Sequence, residues 1–210
     1  MKALIVVDMQ NDFMPGGALG VPDADRLIPT IQSLLLQFPL RIMTLDWHPY
    51  DHISFVTSHP GKHLQEIIEV AGGSQLLWPL HCVADSRGAE PVAGLEREKF
   101  DAAFYKGSDR EIDSYSAFFD NAKRRSTGLA DFLKSHKVQE IYFAGVAIDY
   151  CVLYSALDAL ELHFPHVFVI KDACAGVELK HGDIEHAFHL IQSRGGIILS
   201  SSSNMHHSLS

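Results

Sequence analysis

Apolar residues in this chain gather into short unbroken runs, and between the runs they recur every three or four positions. Five runs, ALIVV from Ala3, RIMTL from Arg41, EIYFAG from Glu140, HVFVI from His166 and GIILS from Gly196, carry β-branched residues and are bounded by turn formers. A strand covered on both faces reads this way, without alternation, because neither side meets water. AAFYK from Ala102 is a sixth, weaker strand. Helical spacing fills the intervals. Leu27, Ile28, Ile31, Leu34 and Leu35 mark a helix over about residues 25–37, with Pro29 near its first turn, where a missing N–H costs little. A second follows Ser126 or Thr127 as N-cap, a third runs from about Asp149 to Leu162, and a fourth runs from about Gly182 to Arg194, closed by Gly195 and Gly196. Strands alternating with helices predict right-handed βαβ units. The expected fold class is therefore α/β: an open six-stranded, mostly parallel sheet with helices on both faces, in a single domain spanning 1–210.

One stretch breaks the pattern. Trp47 to Phe100 is a connection of more than 50 residues, rich in His, Pro and Gly, with one short amphipathic candidate helix at HLQEIIEV. A connection that long in a compact α/β domain is expected to be functional. The tail from about 200 to 210, SSSSNMHHSLS, has little to bury and is expected to be frayed.

Charge narrows the partners. Lys and Arg number 17 against 26 Asp and Glu, a formal net charge of −9, so a nucleic acid backbone or an anionic membrane is a poor partner. No apolar run approaches the roughly 18 residues of a bilayer span. The three cysteines, Cys82, Cys151 and Cys174, form no CxxC pair and no even disulfide framework, which points to a reducing, cytoplasmic location. There is no GxGxxG and no Walker A motif.

In parallel sheets, ligands bind beyond the carboxyl ends of the strands, so the chemistry is sought there. Asp8 follows ALIVV, Asp46 follows RIMTL, Lys106 ends AAFYK, and Cys151 lies shortly after EIYFAG near a helix start. A thiol in a helix first turn feels the positive end of the dipole, which favours the thiolate; taken alone, Cys151 reads equally well as a small buried hydrophobe. With Asp8 as acid/base partner and Lys106 as neighbouring cation, the three residues make an acyl-transfer triad. Asp46 and His48 leave an extended segment on the same face, His52 returns four residues later, and His81 in WPLHC can supply a fourth ligand. One carboxylate and three imidazoles suit a divalent transition ion, zinc first, with iron or manganese as alternatives. Of 13 histidines, only these three have an argued role.

VVDMQNDFMPGGAL, TLDWHPYDHISF, WPLHC, FYKG, YSAF and GVAIDYCV together resemble the motifs of the nicotinamidases, also called pyrazinamidases, within the isochorismatase-like cysteine hydrolases, from residue 3 to about 200. The resemblance implies deamidation of nicotinamide to nicotinate and ammonia, a step of NAD salvage, through a thioester; the alternative is a related cysteine hydrolase acting on another small amide. It implies Cys151 as nucleophile, Asp8 as base, Lys106 as the orienting cation, and Asp46, His48, His52 and His81 as metal ligands. Phe13 and Trp78 match the aromatic pair around the ring, with Tyr105 beside it. Val146 and Ala147 match a cis peptide whose Ala147 N–H joins that of Cys151 in an oxyanion hole. Ile148 departs from the Thr of many relatives, and Val56 to Leu77 is longer than in compact relatives, where it can alter a lid or an oligomer contact. Self-association is left open. Two rivals remain: a metal-hydroxide hydrolase in which Cys151 is only core, and a non-catalytic binding domain.

Overall fold

The computed structural model describes residues 1–70 and 73–203. All six expected strands form: β1 (Lys2–Val7), β2 (Leu40–Asp46), β5 (Ala102–Lys106), β6 (Glu140–Val146), β7 (His166–Ala175) and β8 (Ile197–Leu199). They lie in the order β5-β2-β1-β6-β7-β8, and every neighbouring pair is parallel. The helices are α1 (Leu27–Leu35), α2 (Leu129–Ser135), α3 (Cys151–Glu161) and α4 (Asp183–Ser193). Pro29 sits in the first turn of α1, and the Ser126 and Thr127 hydroxyls accept the Gly128 and Leu129 amides before α2.

Alternation along each strand divides the core. Leu4 and Val6 of β1 face α1, whose Leu27, Ile31 and Leu34 cover them, while Ala3, Ile5 and Val7 face the side packed by α2, α3 and α4. One helix cannot cover a face of six strands. The long connection completes that layer with Cys82, Ala89, Val92, Leu95 and Phe100, so it is a packed part of the core rather than a loose excursion.

HLQEIIEV is not a helix. Ile67–Val70 is strand β3, paired antiparallel with β4 (Gly73–Leu76), and the hairpin stands apart from the main sheet. IIEV combines β-branched residues with an alternating exposure, and its partner supplies hydrogen bonds that an isolated short helix would lack. Of the tail expected to be frayed, Ser200 and Ser201 bond the Asp172 carboxylate, while 204–210 lie outside the described residues. No helix among the described residues is long and apolar enough to cross a membrane.

Candidate active site

The chain leaves β1 toward β2 on one side and β6 toward β7 on the other, so a crevice opens where these neighbours part. Asp8 sits at that point with φ 51°, its amide on the Thr44 carbonyl and its Oδ1 accepting from the Thr44 hydroxyl at 2.7 Å. Lys106 ends β5 in register with Asp46 of β2, and Cys151 opens α3. The Lys106 ammonium lies 2.9 Å from Asp8 Oδ2 and 3.3 Å from Cys151 Sγ, donates to the Ser114 carbonyl at 3.1 Å, and also bonds Asp46 Oδ1. Its side chain is wholly buried, and an ammonium withdrawn from water persists only when paired.

The charges shape one another. Burial works against the Lys106 cation, but the Asp46 and Asp8 carboxylates outweigh it and hold its pKa well above the ordinary lysine value. Burial likewise opposes ionisation of Asp46, yet Lys106 and His48 bring its pKa below the usual carboxylate range. For Asp8 the balance reverses: burial, with Asp46 adding to it, exceeds the pull of Lys106 and raises the pKa. Burial also carries the Cys151 thiol well above its ordinary value despite Lys106. At this helix start desolvation is the larger effect and opposes the pull of the helix end and of Lys106 on the thiol.

Before α3 the Val146–Ala147 peptide is cis. The Ala147 carbonyl accepts from the Tyr150 and Val152 amides, each at 3.0 Å, and the Ile148 amide bonds the Ala175 carbonyl at 2.8 Å. The Ala147 and Cys151 amides are spent on no other acceptor among the described residues. Ile148 is buried in the apolar core that includes α3, where it has no need of a hydroxyl.

The two arms of the long connection pair through short bridges, residue 48 with 83 and residue 55 with 78, which brings His81 to His48. Asp46 Oδ2 lies 3.5 Å from His48 Nε2 and 3.9 Å from His81 Nε2. Asp46, His48 and His81 form one group able to hold a metal, and His48, His52 and Asp113 form another. Of the four expected ligands, His52 is thus stacked on His48, with ring centroids 4.3 Å apart, but stands outside the Asp46 group. Every imidazole is held by Nδ1: His48 on the Gly107 carbonyl (2.8 Å), His52 on the Ser54 hydroxyl (2.7 Å) and His81 on the Pro79 carbonyl (2.8 Å). Tethering one ring nitrogen is how proteins present the other to a metal. His52 Nε2 is buried without a hydrogen-bond partner. Burial and the neighbouring His48 lower His52 and His81 to about 4, which favours the neutral imidazole that metal binding requires. A transition ion fits this donor set. Gly107 has φ +64°, and a Cβ there would run into the His48 ring, so glycine suits both the turn and the close approach.

Above Cys151 lies a narrow cavity whose walls include Phe13, Leu19, Trp78, Tyr115, Tyr150 and Val177. Phe13 and Trp78 are where the sequence expectation put them. Val146 is buried behind Ala147 and does not line the cavity. Tyr105 is a correction. Lys106 turns into the site, so its neighbour on the strand turns away; Tyr105 is 49% exposed and packs on Trp47. Tyr115 and Tyr150 are the tyrosines of the wall, and Tyr115 accepts from Trp78 Nε1 at 3.1 Å.

Three further residues inside the recognised motifs also take part in the site. Gln10 pairs with Asp46 like a strand, donating to its carbonyl and accepting its amide, both at 2.8 Å. Asp12 accepts the Cys82 amide at 2.8 Å, beside His81. Phe55 packs edge-on against all three imidazoles at 5.4 to 5.6 Å. Their motifs mark these residues, but the partners they bond or pack against are distant in sequence and carry no local signal.

The sequence matches the Isochorismatase domain family over residues 2–203. It is 42% identical to the nicotinamidase of Acinetobacter baylyi, covering 92% of this chain and 89% of that one, and 40% identical to the nicotinamidase of Escherichia coli, covering 94% and 93%. Among solved structures it resembles a nicotinamidase pyrazinamidase of Acinetobacter baumanii (44% identity, TM-score 0.91, 95% and 96% covered). The yeast nicotinamidase bound to the inhibitor nicotinaldehyde superposes at TM-score 0.90 (30% identity, 95% and 100% covered), and a pyrazinamidase of Pyrococcus horikoshii in complex with zinc at 0.78 (37%, 95% and 98%). With its parallel sheet and the strand-end Asp, Lys and Cys under an aromatic cavity, the chain belongs to the isochorismatase domain family, in the branch that its nicotinamidase relatives occupy.

Proposed function

We propose that this chain hydrolyses nicotinamide to nicotinate and ammonia through a thioester on Cys151. The observation that carries the reading is the buried Lys106 ammonium, which touches Cys151 and Asp8 directly beneath a cavity walled by aromatic rings. Phe13 and Trp78 hold the ring and direct the carboxamide at Cys151. Sγ attacks the amide carbon as its proton passes to Asp8, whose raised pKa suits it to accept a proton and return it. Lys106 keeps both groups in reach and offsets the charge that moves between them. The carbonyl oxygen, now negative, faces the Ala147 and Cys151 amides, donors worth on the order of 3 kcal/mol each in such sites. Collapse breaks the C–N bond, and Asp8 delivers its proton to the departing ammonia. Water then adds to the thioester, gives a proton to Asp8, and nicotinate leaves as Sγ regains a proton.

Asp46, His48 and His81 are the proposed holders of a divalent metal, with His52, whose Nε2 lacks a partner, the candidate fourth ligand. When bound, the ion supplies a Lewis acid that orients and polarises the pyridine ring. The zinc complex of the Pyrococcus relative supports zinc as the first choice. The whole chain acts as a single catalytic domain, and its three unpaired cysteines suit a reducing, cytoplasmic setting.

The test is ammonia release from nicotinamide by the purified protein, paired with alkylation. Turnover is expected to vanish as label accumulates on Cys151, with nicotinamide protecting that residue. Full activity with Cys151 alkylated would overturn the thioester route and favour a metal-bound hydroxide.

A further inference from the structure

We infer that Gln75, carried by the β3–β4 hairpin, is a positioning residue for the site, its amide holding the Asp113 carboxylate against His48 and His52. The hairpin is otherwise a surface feature: Ile67 is 63% exposed, and Glu69 and Ser74 bond each other in solvent. Gln75, opposite Ile68 in register, is instead buried to 3% exposure. A long amide turned inward from a solvated hairpin needs a reason, since buried polar groups cost free energy unless bonded. Its Nε2 spends two donors, one on the Leu76 carbonyl (2.8 Å) and one on Asp113 Oδ2 (3.0 Å), a residue 38 positions away.

Asp113 is what gives that bond reach. Its other oxygen accepts the Ser114 amide at 2.8 Å, and it lines the cavity together with His48 and Cys151. It also lies within ligand-to-ligand distance of His48 and His52. The next two residues extend the connection: the Ser114 carbonyl accepts from Lys106, and the Tyr115 hydroxyl accepts from Trp78. These three residues belong to no helix or strand; the Asn121 amide bonds the Asp113 carbonyl, while the Asp113 carboxylate is held by side-chain bonds, of which the one from Gln75 arrives from the hairpin. The segment longer than in compact relatives therefore acts as a strap whose anchor sits beside the imidazoles.

The inference rests on reading Asp46, His48 and His81 as metal ligands, and the experiment separates the two. Zinc affinity is measured by competition with a chromogenic chelator for the wild type, Gln75→Leu, Asp113→Asn and the double variant, alongside kcat and KM for nicotinamide at saturating zinc. Gln75→Leu is expected to weaken zinc binding about 10-fold or more, as loss of an outer partner does. KM should rise more than kcat falls, and the double variant should lose no more than Asp113→Asn alone, because Gln75 acts through Asp113. Wild-type zinc affinity and KM in Gln75→Leu, or losses that add in the double variant, would overturn the proposal. If Gln75→Leu does not fold, Gln75→Glu decides, since it keeps the size and polarity but sets a carboxylate against Asp113; an unchanged zinc affinity there is equally fatal. A wild type that takes up no zinc overturns the ligand reading itself, and all the proteins then behave alike in the competition.

Discussion

The two halves of the site are built by different means. Asp8 and Lys106 stand at the ends of parallel strands, Cys151 begins a helix, and the sheet ladder holds all three where they meet. The imidazoles ride on a connection without a ladder of that kind. They are placed by isolated bridges and by side chains that imitate backbone, as Gln10 does for Asp46 and Asp12 for Cys82. A charged cluster buried in a sheet can be rigid at little extra cost, because the strands are ordered already. A loop-borne cluster needs a tether for each group, and every imidazole here has one.

That contrast can be broken by experiment. The largest effect is expected from Cys151→Ala, which should lower nicotinamide turnover at least about 10³-fold while leaving zinc affinity within a few-fold of wild type. An equal loss of both would mean that the halves do not separate. Next, His48→Ala should release zinc about 100-fold more readily in a chelator competition, yet leave Cys151 open to alkylation at the wild-type rate. Gly107→Ala sets a methyl group against the His48 ring at a positive φ. It should cost about 1 to 3 kcal/mol in denaturant melts through strain, with zinc affinity falling alongside. Gln10→Ala removes the amide that pairs with Asp46 and bonds the Ala89 carbonyl, leaving buried partners unsatisfied. A loss of about 1 to 3 kcal/mol is expected, and faster proteolysis between residues 80 and 95 is its signature.

The smallest effect lies far from both halves. Arg41 pairs with Asp101 at 2.8 Å on the surface, and its guanidinium lowers the Asp101 pKa by hydrogen bonding. A carboxylate lowered by folding stabilises above its unfolded pKa, near 3.9, and that contribution fades as pH falls through the folded value. After solvent screening the pair is worth a few tenths of a kcal/mol, so Arg41→Ala should narrow the stability difference between pH 6 and pH 3 by no more than that. A larger change would mean that the edge strand β5 is less secure than its ladder implies.

The strands were legible because burial on both faces leaves an unmistakable apolar run, and the strand-end rule then led to Asp8, Asp46 and Lys106. HLQEIIEV fits either period because it is short, and the partner that decides it, Gly73–Leu76, has little apolar alternation of its own to mark it as a strand. Tyr105 was misassigned for a related reason: adjacency to Lys106 in sequence means the opposite face of a strand. Tyr115, Tyr150, Asp113 and Gln75 were out of reach because their partners are remote, with Gln75 and Asp113 separated by 38 positions.

By itself, then, the sequence determined the parallel sheet and brought Asp8, Lys106, Cys151, Asp46 and the imidazoles of His48, His52 and His81 into view as candidates, since each follows from local pattern, from the end of a strand or from the family resemblance. Only the tertiary structure decided that burial raises the Cys151 thiol, that His52 stands apart from Asp46, and that a surface hairpin reaches into the site. These depend on desolvation and on contacts between distant segments, which have no counterpart in local order along a chain.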